Sequence, residues 1–132
     1  MIVPYRIIEQ ADLIVFEPRQ GLTADDYRDT WNDVLANPLF RKGMRTLTIL
    51  AEGSMTGVTR EAIAEGGKHL FRILGKRGEG KTAFAAPSDF EYGMARMIQI
   101  IADGVVPFDV GVFRNLGEAL EWLDVETEAM AG

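Results

Sequence analysis

Apolar residues recur along the 132-residue chain at two different spacings, and segments with one spacing alternate with segments that have the other. Short β-prone runs with a period of two predict strands, whereas apolar residues three and four positions apart predict amphipathic helices. The predicted strands cover residues 5–8, 13–16, 46–50, 83–86 and 108–112. The predicted helices begin near Thr23, Thr59, Ser88 and Asn115, and the second of them runs to Leu74.

The order of these elements, ββαβαβαβα, is typical of an α/β domain. Strands that alternate with helices imply right-handed crossovers and a mostly parallel sheet covered by helices. Residues 9–12 form a four-residue hairpin loop, so the first two strands are antiparallel and the sheet is mixed. We therefore predict one mixed five-stranded sheet with about four helices in a domain of residues 1–124. The acidic tail, residues 125–132, is expected to fray.

Capping signals support the helix starts unequally. Thr23 with Asp26 approximates a capping box, and Ser88 with Glu91 matches the S-x-x-E form of that motif. The third helix therefore has the best-supported start in the chain. The second helix contains Gly66-Gly67, and each interior glycine costs about 0.5–1 kcal/mol relative to alanine. We expect the second helix to be the least stable locally.

Composition narrows the classes of function. The net charge of −6 opposes binding to nucleic acid, because phosphates repel an acidic surface. The chain has no cysteine and a single histidine, His69, so we predict no metal site and no cofactor. It contains no apolar run of the roughly 18 residues that a membrane span needs, and no signal-peptide pattern. The expectation is a soluble, cytoplasmic protein.

One string resembles a nucleotide-binding motif. Residues 75–82, GKRGEGKT, match G-x-x-x-x-G-K-[ST] letter for letter. A phosphate-binding loop requires a strand before the glycines and a helix after them. Here a helix precedes the string and a strand follows it, so we expect Gly75 to cap the second helix and predict no enzymatic activity.

Longer segments carry a family resemblance. Residues 83–104, AFAAPSDFEYGMARMIQIIADG, and 108–123, FDVGVFRNLGEALEWL, resemble the SpoIIAA-like branch of the STAS-domain superfamily, which has a STAS or CRAL-TRIO-like fold. Residues 22–31, LTADDYRDTW, and 35–43, LANPLFRKG, extend the similarity over most of the chain. The resemblance implies a regulatory binding module without enzymatic activity. In this branch, membrane association and apolar ligands are suspected for some members.

The resemblance also suggests a regulatory alternative. Anti-sigma-factor antagonists of the superfamily carry a D-S-[ST]-G-type motif whose serine is phosphorylated at a helix start. The corresponding loop here, residues 51–59, reads AEGSMTGVT and lacks both the aspartate and the serine-glycine pair. Ser54 and Thr56 are the candidate phosphorylated hydroxyls in a switch that would act on a regulatory protein partner.

Two further sets of residues are candidates for binding. The cations Lys68, Arg72, Lys76, Arg77 and Lys81 form a predicted basic surface. They are either a solvated helix face or a patch for anionic lipid or an acidic partner. The apolar candidates for a ligand pocket, which could equally be core residues, are Leu70, Phe71, Leu74, Phe90, Met94 and Met97.

The leading hypothesis is a non-enzymatic STAS-like module that binds an apolar small molecule or lipid, or associates peripherally with the inner face of the membrane. It would act through a movable second helix. A homodimer is also predicted, because two-fold symmetry is the commonest form of association.

Overall fold

The computed structural model describes residues 1–131 and has the predicted element order. The strands are β1 (Tyr5–Ile8), β2 (Leu13–Phe16), β3 (Arg45–Ile49), β4 (Thr82–Ala85) and β5 (Val110–Phe113). The helices are α1 (Ala24–Ala36), α2 (Arg60–Arg77), α3 (Asp89–Ala102) and α4 (Leu116–Leu123). Short 3-10 turns cover Glu9–Ala11 and Thr127–Ala131.

The five strands form one sheet in the order β1-β2-β3-β4-β5. β1 is antiparallel to β2 and the remaining pairs are parallel, which confirms the predicted mixed sheet. Because each parallel strand lies beside the one before it, crossovers of one hand place α1, α2 and α3 on the same face. α4 follows the last strand and packs on the opposite face.

The face of the sheet under α4, here the closed face, holds the best-packed core. Leu13, Leu47 and Ala83 point to this face from neighbouring strands and are completely buried. Leu120 and Leu123 of α4 cover them. Residues at alternate positions of a strand share a face, so the period-two pattern produces this core directly.

The acidic tail is part of this core, and the expectation that it frays is wrong. Val125 is buried among the residues of the closed face, and Met130 packs against them. The Arg6 guanidinium donates to the Met130 carbonyl at 2.8 Å, and that of Arg45 donates to the carbonyl of Leu123. Apolar side chains thus hold down an otherwise acidic segment. Gly132 lies outside the described residues, and the boundary at residue 124 stays a prediction.

α2 is three residues longer than predicted, and Gly75 is not its cap. Gly78 ends the helix with a φ of +83°, and its amide donates to the Leu74 carbonyl at 2.8 Å. Glycine suits this position because a positive φ strains other residues. The phosphate-loop string therefore begins inside α2 and ends at the first residue of β4.

The helix starts lie close to their predicted positions, but one predicted cap is wrong. Thr23 and Asp26 form the complete capping box expected for α1. Ser88 precedes α3 without making a side-chain cap bond. The carboxylate of Glu91 is buried and instead accepts a hydrogen bond from the Met55 amide at 3.3 Å. Glu91 thus ties α3 to the loop after β3.

Candidate functional site

α2 packs closely against α1 and much less closely against the sheet and α3. At the α1 contact, a Cβ atom added to Gly66 would lie 3.4 Å from the ring of Tyr27. That distance is an ordinary van der Waals contact, so Gly66 lies directly against the Tyr27 ring. A Cβ at Gly67 would meet nothing within 4 Å.

The space left beneath α2 is a cavity of about 460 Å³, here called the α2 cavity. Its volume lies within the range of roughly 300–1,000 Å³ that is common for small-molecule sites. α2 forms its roof, α1 and α3 form its sides, and the sheet forms its floor. The floor residues are Phe16, Thr46, Thr48, Thr82, Phe84 and Val110.

Short side chains at the centre of the floor leave this space open. Thr46 of β3 pairs in register with Thr82 of β4, and their hydroxyl oxygens are 2.8 Å apart. Thr48 occupies the next position of β3 on the same face. Threonine suits a strand because it is β-branched, but it is too short to reach a helix held away from the sheet.

Exposed apolar side chains mark an opening between α2 and the end of α3. Phe71, Ile101 and Val105 all line the α2 cavity and are 58%, 44% and 58% exposed, respectively. Scattered exposed apolar residues are ordinary, but three that line one cavity indicate that its apolar lining reaches solvent. A ligand could enter at this position.

A buried cation lies in the wall of the α2 cavity. Arg77, the last residue of α2, is only 2% exposed. Its guanidinium carbon lies 4.0 Å from the ring centroid of Phe108 and 5.3 Å from that of Trp31. It donates to the Thr82 hydroxyl at 2.8 Å and to the Gly78 carbonyl at 2.9 Å. Burial lowers the pKa of Arg77, and the nearby Tyr27 opposes this shift.

The assignment of Arg77 to the basic surface is therefore wrong. Arg77 follows Lys76 by about 100° around the helix, so it leaves the exposed face and turns inward. Lys68, Arg72 and Lys76 are exposed, and Lys68 is paired with Glu65 at 3.2 Å.

Lys81 is exposed outside α2. Its ammonium lies 4.9 Å from the ring centroid of Trp122, a residue of α4. Four of the five predicted cations are thus at the surface.

The predicted apolar candidates divide into two groups. Leu70 and Phe71 line the α2 cavity, whereas Leu74, Phe90, Met94 and Met97 are not among its lining residues. Met94 packs against the cluster that contains Leu50 and Ala95.

α3 contributes other residues to the cavity, namely Ile98, Ile101 and Ala102. They recur at spacings of three and four from Ile98, so the helical period could have identified them. Trp31 and Phe108 were missed because nothing in their local sequence separates a cavity wall from a filled core.

The candidate phosphorylation sites do not line this cavity, although Met55 between them does. Ser54 is buried and its hydroxyl has no hydrogen-bond partner, whereas Thr56 is exposed. Thr56 borders a shallow depression of about 630 Å³, and Phe90 lies on its rim. The depression is also lined by the acidic residues Glu52, Asp89 and Glu91, which disfavour an added phosphate. Phosphorylation at either hydroxyl stays a prediction.

His69 lies on another face of α2 and is buried, with no partner for its Nε2 atom. Burial lowers the pKa of His69, and the charges of Arg72 and Arg28 lower it further. Within residues 1–131, no cluster of three or more His, Asp or Glu residues is placed to hold a metal ion. None of the helices in that range combines the length and apolar character needed to cross a bilayer.

Comparison of the chain with protein-family models and with curated proteins finds no match. Its structure is similar to the crystal structure of an uncharacterised DUF3478-family protein from Shewanella loihica PV-4, which has a SpoIIAA-like fold. The TM-score is 0.56 at 18% sequence identity, over 84% of this chain and 83% of the other. The chain has the SpoIIAA-like fold. This confirms the fold expected from the sequence resemblance, and an identity this low carries no function with it.

Proposed function

We propose that this SpoIIAA-like protein is a non-enzymatic binding module whose α2 cavity takes an apolar or lipid-like ligand. The observation that carries the proposal is the cavity itself, which is largely apolar and includes the exposed residues Phe71 and Val105 in its lining. Apolar surface that stays in contact with water costs about 25 cal/mol per Å², so an apolar ligand gains free energy by covering it.

The position of α2 suggests how the ligand enters. α2 rests mainly on α1, where Gly66 meets the Tyr27 ring and Ile73 is buried in one cluster with Trp31 and Val34. A small rotation of α2 about its contact with α1 widens the opening without separating the two helices. Closure over a bound ligand then restores the packing that the floor threonines leave incomplete.

Peripheral association with a membrane is a second candidate function. Phe71 projects from α2 beside Arg72, and Lys68 and Lys76 lie on the same helix. An apolar side chain among cations is suited to the boundary of an anionic bilayer, where the ligand would also be found. Co-sedimentation with phosphatidylserine vesicles at low salt tests this role, and Phe71→Ser should weaken it.

The cavity is tested with Nile red, a neutral apolar dye. The wild-type chain should bind the dye, and Thr48→Phe, which fills the centre of the floor, should weaken binding by at least about tenfold. Thr127→Phe is the matched control. Thr127 begins the 3-10 turn that follows α4, is exposed and does not line the cavity. If the wild-type chain does not bind Nile red, or if both variants bind it equally well, the proposal fails.

A further inference from the structure

We infer that the ligand of the α2 cavity carries a carboxylate that binds Arg77, and that it is a long-chain carboxylic acid. This inference rests on the proposed function and adds the chemical class of the ligand. Three observations support it: a hydrogen-bond donor without an acceptor, a buried charge without a counter-charge, and the position of that charge in the wall of a largely apolar cavity.

The first observation concerns the donors of Arg77. A guanidinium has five N–H groups. The structure gives them three hydrogen bonds, to the carbonyls of Gly78 and Gly80 and to the Thr82 hydroxyl. The Nε atom is buried and has no partner. A buried donor left unpaired is costly, and a carboxylate could accept from it.

The second observation concerns charge. All three hydrogen-bond acceptors of Arg77 are neutral, and no carboxylate of residues 1–131 forms a salt bridge with it within 4.0 Å. The rings of Phe108 and Trp31 offer cation–π contacts, which offset only part of the cost of burial. A buried arginine normally has an anion beside it, and here that anion can come from a ligand.

Arg77 could instead be purely structural. Its bonds to Gly78 and Gly80 hold the turn between α2 and β4, and a structural role needs no more than these. That role leaves both the free Nε and the uncompensated charge without an explanation. It also does not require Arg77 to lie in the wall of an apolar cavity.

The third observation is a single buried charge in the wall of an otherwise largely apolar cavity. Among the residues of 1–131 that line the α2 cavity, Arg77 is the only buried cation. Lys68 also borders the cavity but is exposed. One guanidinium balances one carboxylate, whereas a doubly charged phosphate would leave a negative charge in apolar surroundings. The apolar chain of the acid can then occupy the rest of the cavity, whose lining is largely apolar.

The test compares palmitate with hexadecanol, which has a chain of the same length and a neutral head group. Each displaces Nile red from the wild-type chain, and palmitate should bind at least about tenfold more tightly. Arg77→Gln should abolish this preference, so that palmitate and hexadecanol bind the variant with equal affinities. Arg72→Gln is the control, because it removes an exposed cation from the same helix and should keep the preference.

A second measurement needs no variant and decides the question if Arg77→Gln does not fold. In the wild-type chain labelled with ¹⁵N, the Nε–H resonance of Arg77 should shift on addition of palmitate and not on addition of hexadecanol. A purely structural arginine would show the same resonance with both compounds.

The outcomes separate the two proposals. Nile red binding with equal affinities for palmitate and hexadecanol would overturn the carboxylate assignment and leave the cavity as an apolar site. An Nε–H resonance that does not move with palmitate would do the same, as would tighter binding of hexadecyl phosphate than of palmitate. Absence of Nile red binding would overturn the proposed function itself.

Discussion

The two faces of the sheet are built from the same strands and differ in how completely they are covered. On the closed face, Leu47 of β3 and Ala83 of β4 are fully buried beneath α4. On the other face, the neighbouring positions Thr46 and Thr82 form the floor of the α2 cavity. One residue along each strand separates a packed core from a ligand-sized space.

This difference assigns separate tasks to the two faces. Close packing supplies most of the stability of a domain, because both apolar burial and dispersion scale with contacts. A helix that rests on one neighbour contributes less, and it can move at a lower cost. We therefore expect the closed face to hold the fold together. The opposite face of the sheet, which lies beneath α2, should accommodate the ligand.

The largest expected effect comes from replacing one leucine on each side of the sheet with alanine. Leu120→Ala, on α4 at 1% exposure, should lower the free energy of unfolding by about 2–5 kcal/mol. Leu70→Ala, on α2, should cost less than half as much, because Leu70 already borders the α2 cavity and loses fewer contacts. Urea denaturation measures both values. Equal losses would mean that the two faces contribute equally to stability.

Hydrogen exchange should show the same contrast in the native state. Backbone amides in the middle of α2 should exchange at least about tenfold faster than those of the strands, since α2 can open without unfolding the closed face. Addition of a bound ligand should slow exchange in α2 selectively. Uniform protection of α2 and the sheet would argue against a movable helix.

A glycine substitution should strengthen α2. Gly67→Ala should raise the free energy of unfolding by about 0.5–1 kcal/mol, since the new methyl group meets nothing and the helix gains propensity. Gly80→Ala serves as the contrast and should lower stability, because its Cβ would collide with the carbonyl oxygen of Met44. Thermal denaturation distinguishes the two. A loss of stability in Gly67→Ala would mean that α2 packs more tightly than described.

The smallest effect is a dependence on pH. Burial lowers the pKa of His69 in the folded chain, so the unfolded chain binds a proton first as the pH falls. Stability should therefore be complete above the ordinary histidine pKa of about 6.5 and decrease as the pH falls through that value. His69→Gln should lack this contribution when the free energies of unfolding are compared between about pH 5 and about pH 8. If the free energies of unfolding of the wild-type chain and of His69→Gln change with pH by the same amount, the lowered pKa of His69 is contradicted.

The order of elements could be predicted from the sequence because local signals determine it. The change of period between strands and helices, the caps at Thr23, Thr59 and Asn115, and the hairpin after β1 are all short-range features. The capping box at Ser88 failed because Glu91 bonds to Met55, a residue distant in sequence. Long-range contacts of this kind leave no local pattern.

The candidate site was only partly predictable for the same reason. Leu70 and Phe71 were identified because they lie on the apolar stripe of α2. The cavity depends on how far α2 is held from the sheet, which follows from its contact with α1. Arg77 was assigned to the surface with Lys76 because α2 was predicted to end at Leu74, before the turn that carries Arg77 inward.

The position of α4 has a consequence for synthesis of the chain. α4 is the last α-helix, yet the core that it covers includes Leu13, which lies more than a hundred residues earlier in the chain. While the chain emerges from the ribosome, β2, β3 and β4 therefore expose the apolar side chains of the closed face until residues 116–125 are available. Nascent chains that stop before this segment should be the ones that need a chaperone, because exposed strands with apolar faces aggregate.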